Sequence, residues 1–203
     1  MAVASVTHGG YDAAMTEEAD QLYVETRELR IQGFLLFMVS DLVLFSSFIF
    51  AYLYLRNSGQ GWPAGGPKLD IALASVNSIV LFGSGATMHF ALENWKHRNF
   101  TKFANWIVMT IILGAGFLTG QVLEYMHIGA RWSSGIFGAS FYTLTGMHGL
   151  HVFAGIIYLT VLLLQAAQGK YTFTKYTGLT LGTLYWHFVD VIWVVLFSIF
   201  YLL

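Results

Sequence analysis

Five long apolar runs dominate the chain, at residues 31–55, 70–92, 103–126, 135–166 and 178–203. A helix needs about 20 apolar residues to cross a hydrocarbon core, and each run is at least that long. The fourth is long enough to tilt or to project beyond the lipid. Both prolines, Pro63 and Pro67, fall in one connector and leave every run unbroken. Of the 203 residues, 56% are hydrophobic and only 10% charged, where a soluble domain carries about 25% charged residues. So few charges cannot cover a water-facing surface, so the expected solvent is lipid. The fold expected is an all-α membrane protein, a bundle of five transmembrane helices spanning residues 31–203 as one domain.

A polar segment, residues 1–30, precedes it. With Glu17, Glu18, Asp20, Glu25 and Glu28 ahead of the first apolar run, it lacks the basic start and early apolar region of a secretory signal. The first span is therefore expected to be retained and to act as the insertion signal.

The connectors read as loops at residues 57–67, 93–102, 127–134 and 169–177. The first holds Gly59, Gly61, Gly65 and Gly66 with both prolines, and the second is the most charged segment. Short links place successive helices side by side and antiparallel. One set of connectors holds Arg27, Arg30, Lys96, Arg98, Lys102, Lys170 and Lys175, and the other only Arg56, Lys68 and Arg131. The excess puts the amino terminus in the cytoplasm and the carboxyl end outside. Gly114, Gly116 and Gly120 on the third span, and Gly178 and Gly182 on the fifth, provide small residues where backbones can approach.

Several function classes drop out. With no cysteine there is no disulfide, iron–sulfur cluster, thiolate copper site or cysteine nucleophile. A net charge of −1 without a dense basic patch gives no reason to expect a nucleic-acid partner. The glycines of residues 57–67 lack the Lys-Ser/Thr ending of a phosphate-binding loop. Serines near the histidines lack an acid at triad spacing.

The informative residues are the ionisable ones inside the spans: Asp41 in the first; His89, one turn before Glu93, in the second; Gln121, Glu124 and His127 at three-residue steps in the third; His148 and His151 in the fourth; His187 and Asp190 in the fifth. A charge at the bilayer centre costs about 3 kcal/mol, so such groups turn toward one another, a partner subunit or a lipid head. Four readings stay open on the residues alone. They can be helix–helix glue. Glu124 and His127 fit Glu-x-x-His, but a di-iron site needs two such motifs and two further glutamates. His148 or His151 facing His187 would suit a bis-histidine haem. A small proton-coupled transporter would use the same carboxylates and imidazoles as an ion path.

Four motifs resemble subunit III of the haem-copper respiratory oxidases, in its short five-helix form. Ser40-Asp41-Leu42-Val43-Leu44-Phe45 resembles the family's first shared helix, where many members carry Glu in place of Asp41. Leu113-Gly114-Ala115-Gly116-Phe117, with Gln121 and Glu124-Tyr125, is similar to its LGxxFxxxQxxEY block. Gly146-Met147-His148-Gly149-Leu150-His151-Val152 and Gly155 match its GxHGxHVxxG helix. Tyr185-Trp186-His187-Phe188-Val189-Asp190-Val191-Ile192-Trp193 is similar to its YWHFVDVVW signature.

The resemblance implies a subunit with no haem, no copper and no catalytic residue of its own. Haem and copper would sit in partner subunits, with oxidase subunits I and II and membrane lipids as partners. It implies a V-shaped cleft holding bound phospholipid, and a role in keeping the catalytic subunit turning over and its proton uptake intact. Cytochrome c is favoured as donor over quinol, and a bacterial plasma membrane as location (the inner mitochondrial membrane if organellar). Asp41 takes the position of the family's carbodiimide-sensitive carboxylate. Glu124, His148, His151, His187 and Asp190 are implied to be interhelix hydrogen bonds and lipid-head anchors, not ligands, with His187 between the fourth and fifth helices. The loop basics Arg56, Lys68, Lys96, Arg98 and Lys102 either hold lipid phosphates, worth about 1 kcal/mol each, or only set topology.

Overall fold

A computed structural model describes residues 8–57, 69–128, 135–172 and 176–203, with side chains from residue 21 onward. Among these residues there are five α-helices and no strand: α1 (His8–Asn57), α2 (Ile71–Lys96), α3 (Phe100–His127), α4 (Gly135–Ala167) and α5 (Thr177–Phe197). The last continues into a π-helical turn, Ser198–Leu202, closed by Leu203 N–H donating to the Ser198 carbonyl at 3.1 Å. Each helix contains a stretch long and apolar enough to cross a membrane. The chain is an all-α transmembrane protein. Most of connectors 57–67 and 127–134, with Pro63, Pro67, Lys68, Arg131 and Lys175, lies outside the described residues.

Helix ends differ from the apolar runs for local reasons. Asp70, expected inside the second span, caps it instead, its carboxylate accepting from Leu73 N–H at 3.0 Å. The charged residues 93–102 are not a loop. Glu93 and Lys96 pair at 2.7 Å within the last turn of α2, and Asn99 caps α3 by accepting from Lys102 N–H at 3.1 Å. Only residues 97–99 remain as a link. The turn there is a Schellman motif: Asn99 N–H reaches the Asn94 carbonyl, and Arg98 N–H the Trp95 carbonyl, both at 2.9 Å. Arg98 takes the left-handed position with φ 59°, where α4 ends in the same motif with Gly169 at φ 71°. Helix α1 begins well before the apolar run at residue 31 and passes through polar sequence.

The chain divides into two units, Met1–Asp41 and Leu42–Leu203. In the first, described side chains alternate between charge (Glu25, Arg27, Glu28, Arg30) and then exposed apolar groups such as Leu35, Leu36 and Val39. Thr26 and Ser40 return their hydroxyls to the Leu22 and Leu36 carbonyls at 2.6 and 2.9 Å, which satisfies them without water.

In the second unit, α2 packs on α3, α3 on α4, α4 on α5, and α5 closes back onto α2. The core holds Leu81, Met88, Ile107, Phe117, Phe141, Leu144, Trp186 and Trp193, all nearly inaccessible. The carboxyl-terminal part of α1 adds Phe45 and Tyr52, two helical turns apart; the Tyr52 ring lies 4.7 Å from Phe200. Lipid gives helices no hydrophobic reason to associate, so packing and polar contacts must hold this bundle.

Candidate functional site

Helix α5 enters the bundle through two indoles. Trp186 lies against Gly114 of α3 and Gly155 of α4, where added Cβ atoms would stand 2.8 and 2.9 Å from its ring. Its Nε1–H donates to Ser84 Oγ of α2 at 2.9 Å. Two turns on, Trp193 Nε1–H donates to Ser78 Oγ at 2.8 Å. Each serine returns its own proton to α2, Ser84 to Leu81 and Ser78 to Ala74, at 2.6 and 2.7 Å, leaving a lone pair for the indole. Both glycines therefore admit a side chain, whereas backbone approach was the expectation for Gly114. Gly120 does the same for the Asn77 amide, which donates to the Phe117 carbonyl at 3.1 Å, and Gly182 for Leu162 and Tyr158.

The third-helix acid is the centre of a second group. Glu124, 1% exposed, accepts from Tyr201 Oη at 2.6 Å and from Gln121 Nε2 at 3.3 Å. Beside it Tyr125 and Thr145 share a 2.7 Å hydroxyl contact across α3 and α4. Thr145 already donates to the Phe141 carbonyl, so Tyr125 is the donor. His127 does not join Glu124: it is exposed and donates from Nδ1 to the Leu123 carbonyl at 2.7 Å.

The two fourth-helix histidines differ. His148 is buried and makes aromatic contacts where a hydrogen bond was expected: its ring stacks on Trp193 at 5.0 Å and meets Phe117 edge-on at 5.7 Å. Neither ring nitrogen has a hydrogen-bond partner among the described residues. His151 donates to its own helix, Nδ1 to the Met147 carbonyl at 2.8 Å, and lies 5.1 Å from the Phe45 ring, while Tyr185 Oη donates to its carbonyl at 3.0 Å.

On α5, His187 Nδ1 stands 3.6 Å from Asp190 Oδ2. Asp190 lies against Gly85 of α2, whose missing Cβ leaves room for the carboxylate. The pair therefore stands against α2, and not between α4 and α5 as expected. His89 is exposed on α2, and Glu93 is paired with Lys96. Asp41 ends the first unit, one helical turn before Phe45.

Hydrogen bonds between helices come from Trp186, Trp193, Asn77, Tyr125, Tyr185 and Tyr201 with Glu124, while the His127 and His151 side chains bond within their own helices and His187 stands beside Asp190 on α5. Among the described residues no three His, Asp or Glu side chains converge closely enough to hold a metal ion. Sequence reading missed Ser78, Ser84, Asn77, Tyr201 and the Thr87–Thr110 contact at 2.7 Å. For Tyr201 the usable signal is depth, since the end of the fifth span and Glu124 belong to the same membrane face.

Over residues 14–203 the chain matches the family described as cytochrome c oxidase subunit III. It is 35% identical over 180 residues to the cytochrome c oxidase subunit 3 of Thermostichus vulcanus, covering 88% of this chain and 90% of that one. The cytochrome c oxidase subunit 3 of a Synechocystis species is 38% identical over 178 residues, 87% and 76% of the two chains. The quinol oxidase subunit 3 of Bacillus subtilis is 31% identical over 199 residues, 97% and 95%.

Proposed function

The chain belongs to the cytochrome c oxidase subunit III family, and we propose that it is the non-redox member of its complex, seated beside haem- and copper-bearing subunits I and II. As a family member it is an integral membrane subunit of a haem-copper terminal oxidase, a complex that reduces oxygen. The transporter reading, open on the residues alone, gives way to that membership.

One observation carries the non-redox reading. The family-like motifs engage one another: Gly114 of the second and Gly155 of the third receive Trp186 of the fourth. Glu124 of the second is held by Tyr201, and Tyr185 of the fourth donates to His151 of the third. Signature residues engaged in this way lock helices together. The chain's task is then to hold a fixed surface, and bound phospholipid, against the catalytic subunit so that turnover and proton uptake persist. Cytochrome c is the proposed donor, on the higher identity to the cytochrome c oxidase relatives. The proposed orientation has a cytoplasmic amino terminus in a bacterial plasma membrane.

Purification through a tag on this chain tests the reading. The preparation is expected to carry haem and copper in other subunits and to oxidise reduced cytochrome c faster than quinol. After detergent stripping, the lone chain is expected to lack a Soret band. A Soret band or stoichiometric copper in the lone chain would overturn the non-redox assignment, and a preparation without any haem protein would overturn the partnership with subunits I and II.

A further inference from the structure

One side of the bundle carries polar groups where lipid would be expected. The side chain of His187 is 43% exposed, although it lies well inside the α5 span. Beside it, Asp190 Oδ1 is inaccessible and has no hydrogen-bond partner among the described residues. Gly85, against which Asp190 lies, begins a row on α2 at four-residue steps: Gly85, the exposed His89, then Glu93 with its partner Lys96. The Trp186–Ser84 and Trp193–Ser78 bonds run α2 and α5 antiparallel, so His187 lies nearer the Lys96 end than Asp190 does. Ionisable groups thus line the outward side of the α2–α5 seam from the end of α2 to its middle.

Depth limits what can meet them. At about 1.5 Å per residue, His187 and Asp190 lie about 15 and 20 Å along α5 from its first residue. A hydrocarbon core is about 30 Å thick, so the pair sits near its middle, too deep for a lipid head. Polar groups at that depth face a protein or a water-filled cavity. We propose that the outward side of the α2–α5 seam is an interface for a transmembrane helix of another oxidase subunit, one that presents a hydrogen-bonding side chain to the exposed imidazole of His187 at mid-membrane depth. The inference rests on the chain sitting within such a complex.

Phe82 on α2 and Val194 on α5 flank the polar row and are 41% and 48% exposed, which makes them sites for a photoreactive benzophenone amino acid. Val122 on α3 and Leu150 on α4, 53% and 68% exposed, serve as controls on other faces. Labelled complexes are purified and only those with full haem content are irradiated. Phe82 and Val194 are expected to yield at least tenfold more adduct with another subunit than the controls do. Lipid adducts alone at the seam, no adduct there, or equal capture at the controls would each overturn the interface while leaving complex membership intact. A tagged chain that brings down no haem protein would remove the premise instead, and the two failures are told apart by the haem spectrum.

Discussion

Trp186 shows how much one side chain can settle in a lipid-solvated fold. It fills notches on two helices and donates to a third, so its neighbours have little freedom to change. Gly114→Ala would set a methyl group 2.8 Å from the indole, and overpacking of this kind costs about 1–3 kcal/mol. The expected result is a lower thermal midpoint for the detergent-solubilised complex, with partial rescue by Trp186→Phe, whose smaller ring vacates the contested space. Absence of rescue would show that the glycine acts otherwise. Glu124 makes the complementary point about legibility. Its one-face relation to Gln121 follows from three-residue spacing alone. Its principal partner Tyr201 does not, because a tyrosine near the end of a span reads equally well as part of an interfacial aromatic belt. His148 exposes another limit: spacing puts it and His151 on one side of a helix, but the stacking on Trp193 depends on how α5 is rotated.

Between elements, the α2–α5 contact is fixed by two similar indole–serine bonds, with the Gly85–Asp190 contact on the same pair of helices. Interhelical hydrogen bonds in membranes average about 0.6 kcal/mol. Ser78→Ala and Ser84→Ala are each expected to cost about that much in a mixed-micelle unfolding titration. They should add nearly independently, since their indole partners stand two turns apart. A double variant no weaker than either single one would mean the bonds are not separate staples. Hydropathy finds all five helices because their apolar runs are unbroken, but it misses their ends. The second run stops short of the charged Glu93, whereas α2 continues through Glu93 and Lys96, which neutralise each other on its surface. The π-helical turn at Ser198–Leu202 has no counterpart in an apolar count, since it changes the bonding of the backbone and not the character of the side chains.

For the molecule as a whole, orientation is the property most directly open to measurement, because the chain has no cysteine and any introduced thiol reports alone. A membrane-impermeant maleimide is expected to label Arg98→Cys and Lys170→Cys only from the cytoplasmic side, and Leu69→Cys only from the other. The reverse pattern would invert the topology drawn from the lysine and arginine distribution. The closed ring of α2 to α5 has a consequence for biogenesis. The indole that occupies the notches of α3 and α4 belongs to a helix synthesised after both, so those notches wait, vacant, for α5 to leave the ribosome. Until then the serine hydroxyls of α2 lack their indole donors, and the three earlier spans hold only pairwise. A polypeptide stalled before residue 177 would therefore present Gly114 and Gly155 as bare grooves, a physical mark that α5 has yet to insert.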